Sequence, residues 1–133
     1  MTCPGPLIHP FDAGRGPILV SAEITKPART MPLQLLLDTG ATTTLVDRSV
    51  LLALGFDLDA CSDLAKMTTG SAIELVPRIP LTRLSALGQH RFGFPVLAHT
   101  PPESARVYGL LGLDFLRGLE LNLNFKTGRI TLG

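Results

Sequence analysis

Cysteine is scarce. Cys3 and Cys61 are the only two in 133 residues, which is neither a disulfide framework nor a zinc-ligand spacing and favours a reducing compartment. His9, His90 and His99 are scattered without metal-ligand spacing and read as surface or core histidines. A dominant charge is missing as well. Twelve Lys and Arg against eleven Asp and Glu leave a formal charge of +1, and no basic run offers a hold on nucleic acid or an anionic membrane. No apolar stretch approaches the ~18 residues of a membrane helix. The opening "MTCPGPLIHPFDAGRG" lacks the basic leader and apolar centre of a signal peptide, so a cytoplasmic location is expected, with a periplasmic one left open. There is no Gly-x-x-x-x-Gly-Lys-[Ser/Thr] for a nucleotide. Asp57, Asp59 and Asp63 flank Cys61 and read as solvated loop charges rather than a calcium site. No metal and no organic cofactor is expected.

What remains is apolar and orderly. With 45% hydrophobic and 17% charged residues the chain should be globular, and its length suits one domain that buries roughly two-thirds of its unfolded surface. Residues 1–16, rich in proline and glycine, are expected to form an irregular arm ahead of a single domain over 17–133. "ILVSAEIT" alternates, with Ile18, Val20, Ala22 and Ile24 on one face, so it reads as a strand. "MPLQLLL" reads as its hairpin partner, apolar on both faces and therefore well buried.

Further along, Asp47 is positioned to cap a short helix, "RSVLLAL", that buries Val50, Leu51 and Leu54 and stops at Gly55. "KMTTGSAIELVPRIPL" reads as two strand segments around a polar tip, Thr69-Gly70-Ser71. "LSALGQHRFGFPVLAHT" reads as a second strand pair turning near Gly88-Gln89, and "PPESARVY" as a loop. "GLLGLDFL" reads as an apolar strand, broken at Gly112, before one helical turn that Asp114 would cap. "LELNLNF" places Leu119, Leu121, Leu123 and Phe125 on one side, and "KTG" turns the chain into "RITL". The expected class is all-β with two short helices.

One feature of "LQLLLDTGATTTLVD" is out of keeping with a plain strand: a carboxylate, Asp38, directly behind three leucines. Asp38-Thr39-Gly40-Ala41 in this setting resembles the active-site loop of the aspartic proteases, most closely the retropepsins, the single-domain retroviral-type members, and their bacterial relatives. "MTTGSAIE" stands where the family has its flap, and "GLLGLDFL" resembles the apolar-apolar-Gly strand and helix that close the fold. The likeness spans about residues 17–132. It implies a closed β fold, Asp38 as catalytic carboxylate, Thr39, Gly40 and Ala41 as its supporting loop, Gly112 beside the site, and Thr69, Gly70 and Ser71 as the flap over a peptide substrate. In the family the threonine links two loops, and an arginine near Leu113-Asp114 braces the catalytic loop; this chain departs from that last pattern.

The chemistry suits the residues. Two carboxylates held close cannot both ionise, so they share a proton. One then activates water while the other protonates the attacked carbonyl oxygen. Gly40 fits a loop where backbone approaches backbone. The chain holds only one Asp-[Thr/Ser]-Gly, so the second Asp38 must come from a second copy, and a symmetric homodimer is expected. Alanine at 41 cannot support the ionised carboxylate as a serine would, which implies a mildly acidic optimum.

Two other readings stand beside this one. The same fold could serve as a catalytically silent dimerisation or peptide-binding module. "LLLDTGATTTLV" also resembles the first phosphate loop of the actin, sugar-kinase and heat-shock ATPase superfamily. That fold needs two large domains, which this length does not supply.

Overall fold

The structure is a computed structural model and describes residues 7–101 and 107–133. Cys3 and most of the "PPESARVY" loop lie outside the described residues.

The expected first hairpin forms from strands β2 (Leu19–Lys26) and β3 (Arg29–Leu37), in a register that runs from Leu19 opposite Leu36 to Lys26 opposite Arg29. Alternation does what the pattern demands: Val20, Ala22 and Ile24 enter the core, while Ser21 and Glu23 face out. β3 alternates too, contrary to the expectation of burial on both faces. Leu33, Leu35 and Leu37 are buried, Gln34 is exposed and Leu36 is half-buried. The connecting Pro27-Ala28 turn holds Ala28 at φ +71°, a conformation that costs an alanine free energy.

The short strand β4 (Leu45–Val46) leads into helix α1 (Arg48–Ala53). Its N-cap is Asp47, whose Oδ1 accepts from the Ser49 N–H at 3.0 Å. Val50, Leu51 and Leu54 are buried, and the chain turns away at Gly55 with φ +97°. Lys26 donates to the Gly55 carbonyl and Arg29 to that of Ala53. The first hairpin's turn thus satisfies carbonyls that the helix end leaves unpaired.

Next come β5 (Leu64–Thr69), β6 (Ala72–Ala86) and β7 (Gln89–Ala98). The two strand segments expected in the sequence run straight into the following pair, and β6 is one strand of 15 residues. Pro77 and Pro80 are both accommodated within it; Pro80 lies opposite Pro95, so the two residues without an N–H donor face each other. The β6–β7 turn is Leu87-Gly88, one residue earlier than expected, with φ of +52° and +75°. Positive φ at both central residues marks a type I′ turn, whose twist matches that of the strands.

β8 (Gly109–Leu111), helix α2 (Leu113–Leu116), β9 (Leu121–Asn124) and β10 (Arg129–Leu132) complete the chain. The main sheet runs β2-β3-β8-β4-β7-β6-β5, and an added β2–β6 pairing closes it. Six strands therefore form a barrel, and β5 hangs outside on β6 alone. Leu35, Leu81, Leu84, Val96, Leu111 and Phe115 are fully buried in its core. Phe94 and Phe115 meet edge to face there, the arrangement their ring quadrupoles favour.

A three-stranded sheet, β1 (Ile8–Pro10), β10 and β9, packs beside the barrel. Part of the arm expected to be irregular is thus a strand: Ile8, His9 and Pro10 pair with Thr131, Ile130 and Arg129. Leu119, Leu121 and Leu123 pack on the core as the alternation suggested. Phe125 instead is 59% exposed and opens a four-residue connection, Phe125–Gly128, within which Asn124 Oδ1 accepts from the Lys126 and Thr127 N–H groups.

Candidate active site

β3 and β8 run parallel, with Leu36 and Leu37 opposite Leu110 and Leu111. The pairing continues one residue further, the Asp38 N–H donating to the Leu111 carbonyl at 3.0 Å. There β3 ends in a tight turn. The Ala41 N–H donates to the Asp38 carbonyl (3.1 Å), and the Gly40 N–H donates to Asp38 Oδ1 (2.9 Å). The second bond orients the carboxylate and stabilises its charge. A Cβ on Gly40 would lie 3.1 Å from that Oδ1. A side chain at 40 would crowd that carboxylate, so the close neighbour of Gly40 is Asp38 Oδ1 rather than, as the sequence suggested, backbone. Asp38 and Ala41 are half-buried, while Thr39 and Gly40 are exposed.

The segment Leu111-Gly112-Leu113-Asp114 grips this loop along its length. The Leu113 N–H donates to the Ala41 carbonyl (2.8 Å) and the Asp114 N–H to the Thr42 carbonyl (3.2 Å). Gly112 is where backbone truly meets backbone: a Cβ there would sit 2.8 Å from both the Ala41 oxygen and the Thr43 carbonyl carbon. Its N–H donates to Thr44 Oγ1 (3.1 Å).

Asp114 does not cap α2, as the sequence suggested. Gly112 occupies the N-cap position without a side-chain bond, and the Asp114 carboxylate turns to Thr44. Oδ1 accepts the Thr44 hydroxyl at 2.6 Å, and the Thr44 N–H lies 3.0 Å from both oxygens. Thr44 is fully buried, and its carbonyl accepts from the Leu97 N–H. At the far end of α2, Arg91 donates to the Phe115 and Arg117 carbonyls at 2.8 and 3.0 Å.

Sequence reasoning located Asp38, Thr39, Gly40, Ala41 and Gly112, and the fold brings them together. It missed Thr44 and the part played by Asp114. The signal was there in a polar residue placed next to the apolar pair Leu45-Val46, since a threonine buried to 0% exposure requires a partner.

The proposed flap residues sit elsewhere, on the β5–β6 hairpin. Thr69 pairs with Ala72, and Gly70-Ser71 forms the exposed tip with Gly70 at φ +57°. Ala65, Val76 and Leu97 cluster under the hairpin with Met67 against them, while Ile73 and Leu75 are exposed. His99, just beyond β7, lies 3.1 Å from Glu74 Oε2 on the hairpin's second strand.

Among the described residues, the Asp38 carboxylate has no side-chain hydrogen-bond partner, only the Gly40 N–H. The Asp114 oxygens are engaged by Thr44, and Asp47 Oδ1 holds the start of α1. Among the described residues there is no cluster of three His, Cys, Asp or Glu side chains arranged to hold a metal ion.

Comparison with known proteins agrees with the geometry. The family model described as "Aspartyl protease" matches residues 20–115, a span that runs from the first barrel strand to α2. No curated protein sequence matches the chain. Among solved structures, the fold is similar to that of a retropepsin-like aspartic protease from Rickettsia conorii, with a TM-score of 0.73 and 18% identity over 96% of this chain and 90% of that one. The matched span contains the Asp38 loop and the Gly112 segment that grips it, and the chain belongs to the aspartyl protease family, as an aspartic endopeptidase of retropepsin-like fold.

Proposed function

We propose that the enzyme works as a homodimer in which two Asp38 side chains, one from each protomer, form the catalytic dyad. The observation that carries this reading is the Asp38 carboxylate itself: its loop is fully built, and Asp114, the carboxylate on the segment that grips the loop, is engaged by Thr44. A two-fold axis beside the loop supplies the missing partner.

In the dimer one Asp38 is ionised and the other protonated. The ionised group takes a proton from a water lying between them as its oxygen attacks the peptide carbonyl carbon. The protonated group gives its proton to the carbonyl oxygen, so the tetrahedral intermediate carries no net charge. Proton transfer to the amide nitrogen then accompanies C–N cleavage. No covalent enzyme intermediate forms. Gly40 N–H orients the carboxylate throughout, and Thr39, exposed on its own chain, links the two loops across the axis.

The hairpin carrying Thr69, Gly70 and Ser71 folds over an extended peptide and excludes water, binding its backbone. Substrate residues beside the cut are apolar, to match a leucine-rich chain. No helix among the described residues is long and apolar enough to cross a membrane; we assign the enzyme to the cytoplasm, a placement supported by the unpaired Cys61 thiol.

The test is Asp38→Asn. Cleavage of a diverse peptide pool between about pH 3 and pH 7 should disappear, while sedimentation shows an unchanged dimer. A wild-type protein that cleaves nothing over that range would leave the silent binding module as the function, and an active monomer would refute the shared dyad.

A further inference from the structure

Among the described residues, Thr44 is the one buried polar side chain. Its pair with Asp114 contributes to stability, because it accepts from the Thr44, Gly112 and Phe115 N–H groups, which an apolar pair would leave without these acceptors. What the pair adds besides is position. The loop between Asp38 and Thr44 is anchored at both ends on one four-residue segment. Asp38 is held by the Leu111 carbonyl at its start, and Thr44 by Gly112 and Asp114 at its end.

Asp114 is the strongest of these anchors. Its Oδ1 takes the Thr44 hydroxyl and the Phe115 N–H, and both of its oxygens face the Thr44 N–H. The Thr44 hydroxyl, by donating to Asp114, is left to accept from the Gly112 N–H. One carboxylate therefore sets the hydroxyl's direction and with it the spacing of the whole loop. The bonds lie within one protomer, so the loop is held before any partner arrives.

We infer that Asp114 is a positioning residue for peptide hydrolysis, fixing the reach of Asp38 through Thr44. The inference rests on the reading of Asp38 as the water-activating carboxylate. An amide at 114 offers one acceptor oxygen in place of two and no charge, and a leucine offers none, so the effect is graded. Loop displacement acts on the chemical step, where an error of about 1 Å costs roughly a hundredfold, and leaves substrate binding largely intact.

The test compares Asp114→Asn, Asp114→Leu, Thr44→Val and Thr44→Ser in the full chain, on a peptide that the wild type cleaves. The readouts are kcat and KM separately, the dimer fraction, and amide hydrogen exchange over residues 41–44. We expect kcat to fall roughly tenfold in Asp114→Asn and roughly a hundredfold in Asp114→Leu and Thr44→Val, with KM within about threefold. Thr44→Ser, which keeps the hydroxyl, should hold kcat within about threefold of the wild type.

A folded, dimeric Asp114→Leu with kcat within about twofold of the wild type overturns the inference, as does a loss confined to KM. If the leucine variant does not fold, Asp114→Asn and Thr44→Ser decide, and equal losses in those two overturn it. Absence of cleavage by the wild type defeats the Asp38 reading instead. The exchange measurement then judges the clamp by itself, and unchanged protection of the Thr44 amide in Asp114→Asn refutes it.

Discussion

Gly112→Ala isolates how closely the catalytic loop is fitted to its support. Gly112 has φ −96° and ψ −176°, which alanine adopts freely, so the substitution carries no backbone penalty. Its whole effect is steric. The added Cβ would lie 2.8 Å from the Ala41 oxygen and the Thr43 carbonyl carbon, against an ordinary contact beginning near 3.4 Å. The difference, 3.4 − 2.8, asks the loop to retreat by about 0.6 Å. Both clashing groups are backbone, so no side chain can swing aside. Overpacking of this kind costs about 1–3 kcal/mol, or roughly 4–12 °C in Tm for a chain of this size.

The retreat also moves Asp38, and a shift of that size should lower kcat by roughly tenfold or more. Urea unfolding at fixed protein concentration gives the stability term, and steady-state kinetics gives the other. Gly70→Ala is the control: nothing lies within 4 Å of a Cβ there, so only the strain of a positive φ, about 1 kcal/mol, should appear in unfolding. A Gly112→Ala protein as stable and as active as the wild type would show that the loop is not held by the contact with Gly112.

Ala28→Gly should stabilise the protein by about 0.5–1 kcal/mol: relief of an alanine at φ +71° outweighs the extra freedom glycine gives the unfolded chain, and thermal or urea unfolding reads the difference. Ala41→Ser should move the acidic limb of the kcat/KM profile to lower pH, because a hydroxyl donating to the ionised carboxylate of the proposed dyad favours its charged form; a profile that stays in place refutes the role proposed for residue 41.

Local order was largely legible. Val20, Ala22 and Ile24 show the alternation of a half-buried strand, Asp47 followed by an apolar helical stripe is a helix start, and Asp38-Thr39-Gly40 behind three leucines marks a tight turn at a strand end. Each of these depends on neighbours a few residues apart. What escaped is set by contacts between distant segments. β1 is ordered by β10, more than a hundred residues later. Thr44 and Asp114, 70 positions apart, meet only because β8 enters between β3 and β4, and nothing local to either residue announces it.

The barrel's hydrogen-bonded ring closes through β2 and β6 without β5, so the outermost strand is an appendage and its hairpin can peel away while the ring stays intact. Opening costs the β5–β6 ladder beyond the barrel, the small Ala65–Val76–Leu97 cluster and the exposed His99–Glu74 and Arg78–Asp63 contacts, a far lighter load than melting the core. In deuterium labelling, the amides of 64–76 should exchange through a low-energy local event, well ahead of those at Leu35, Val96 and Leu111. On the proposed flap reading, a long polypeptide enters beneath the hairpin without loosening the floor on which it is cut.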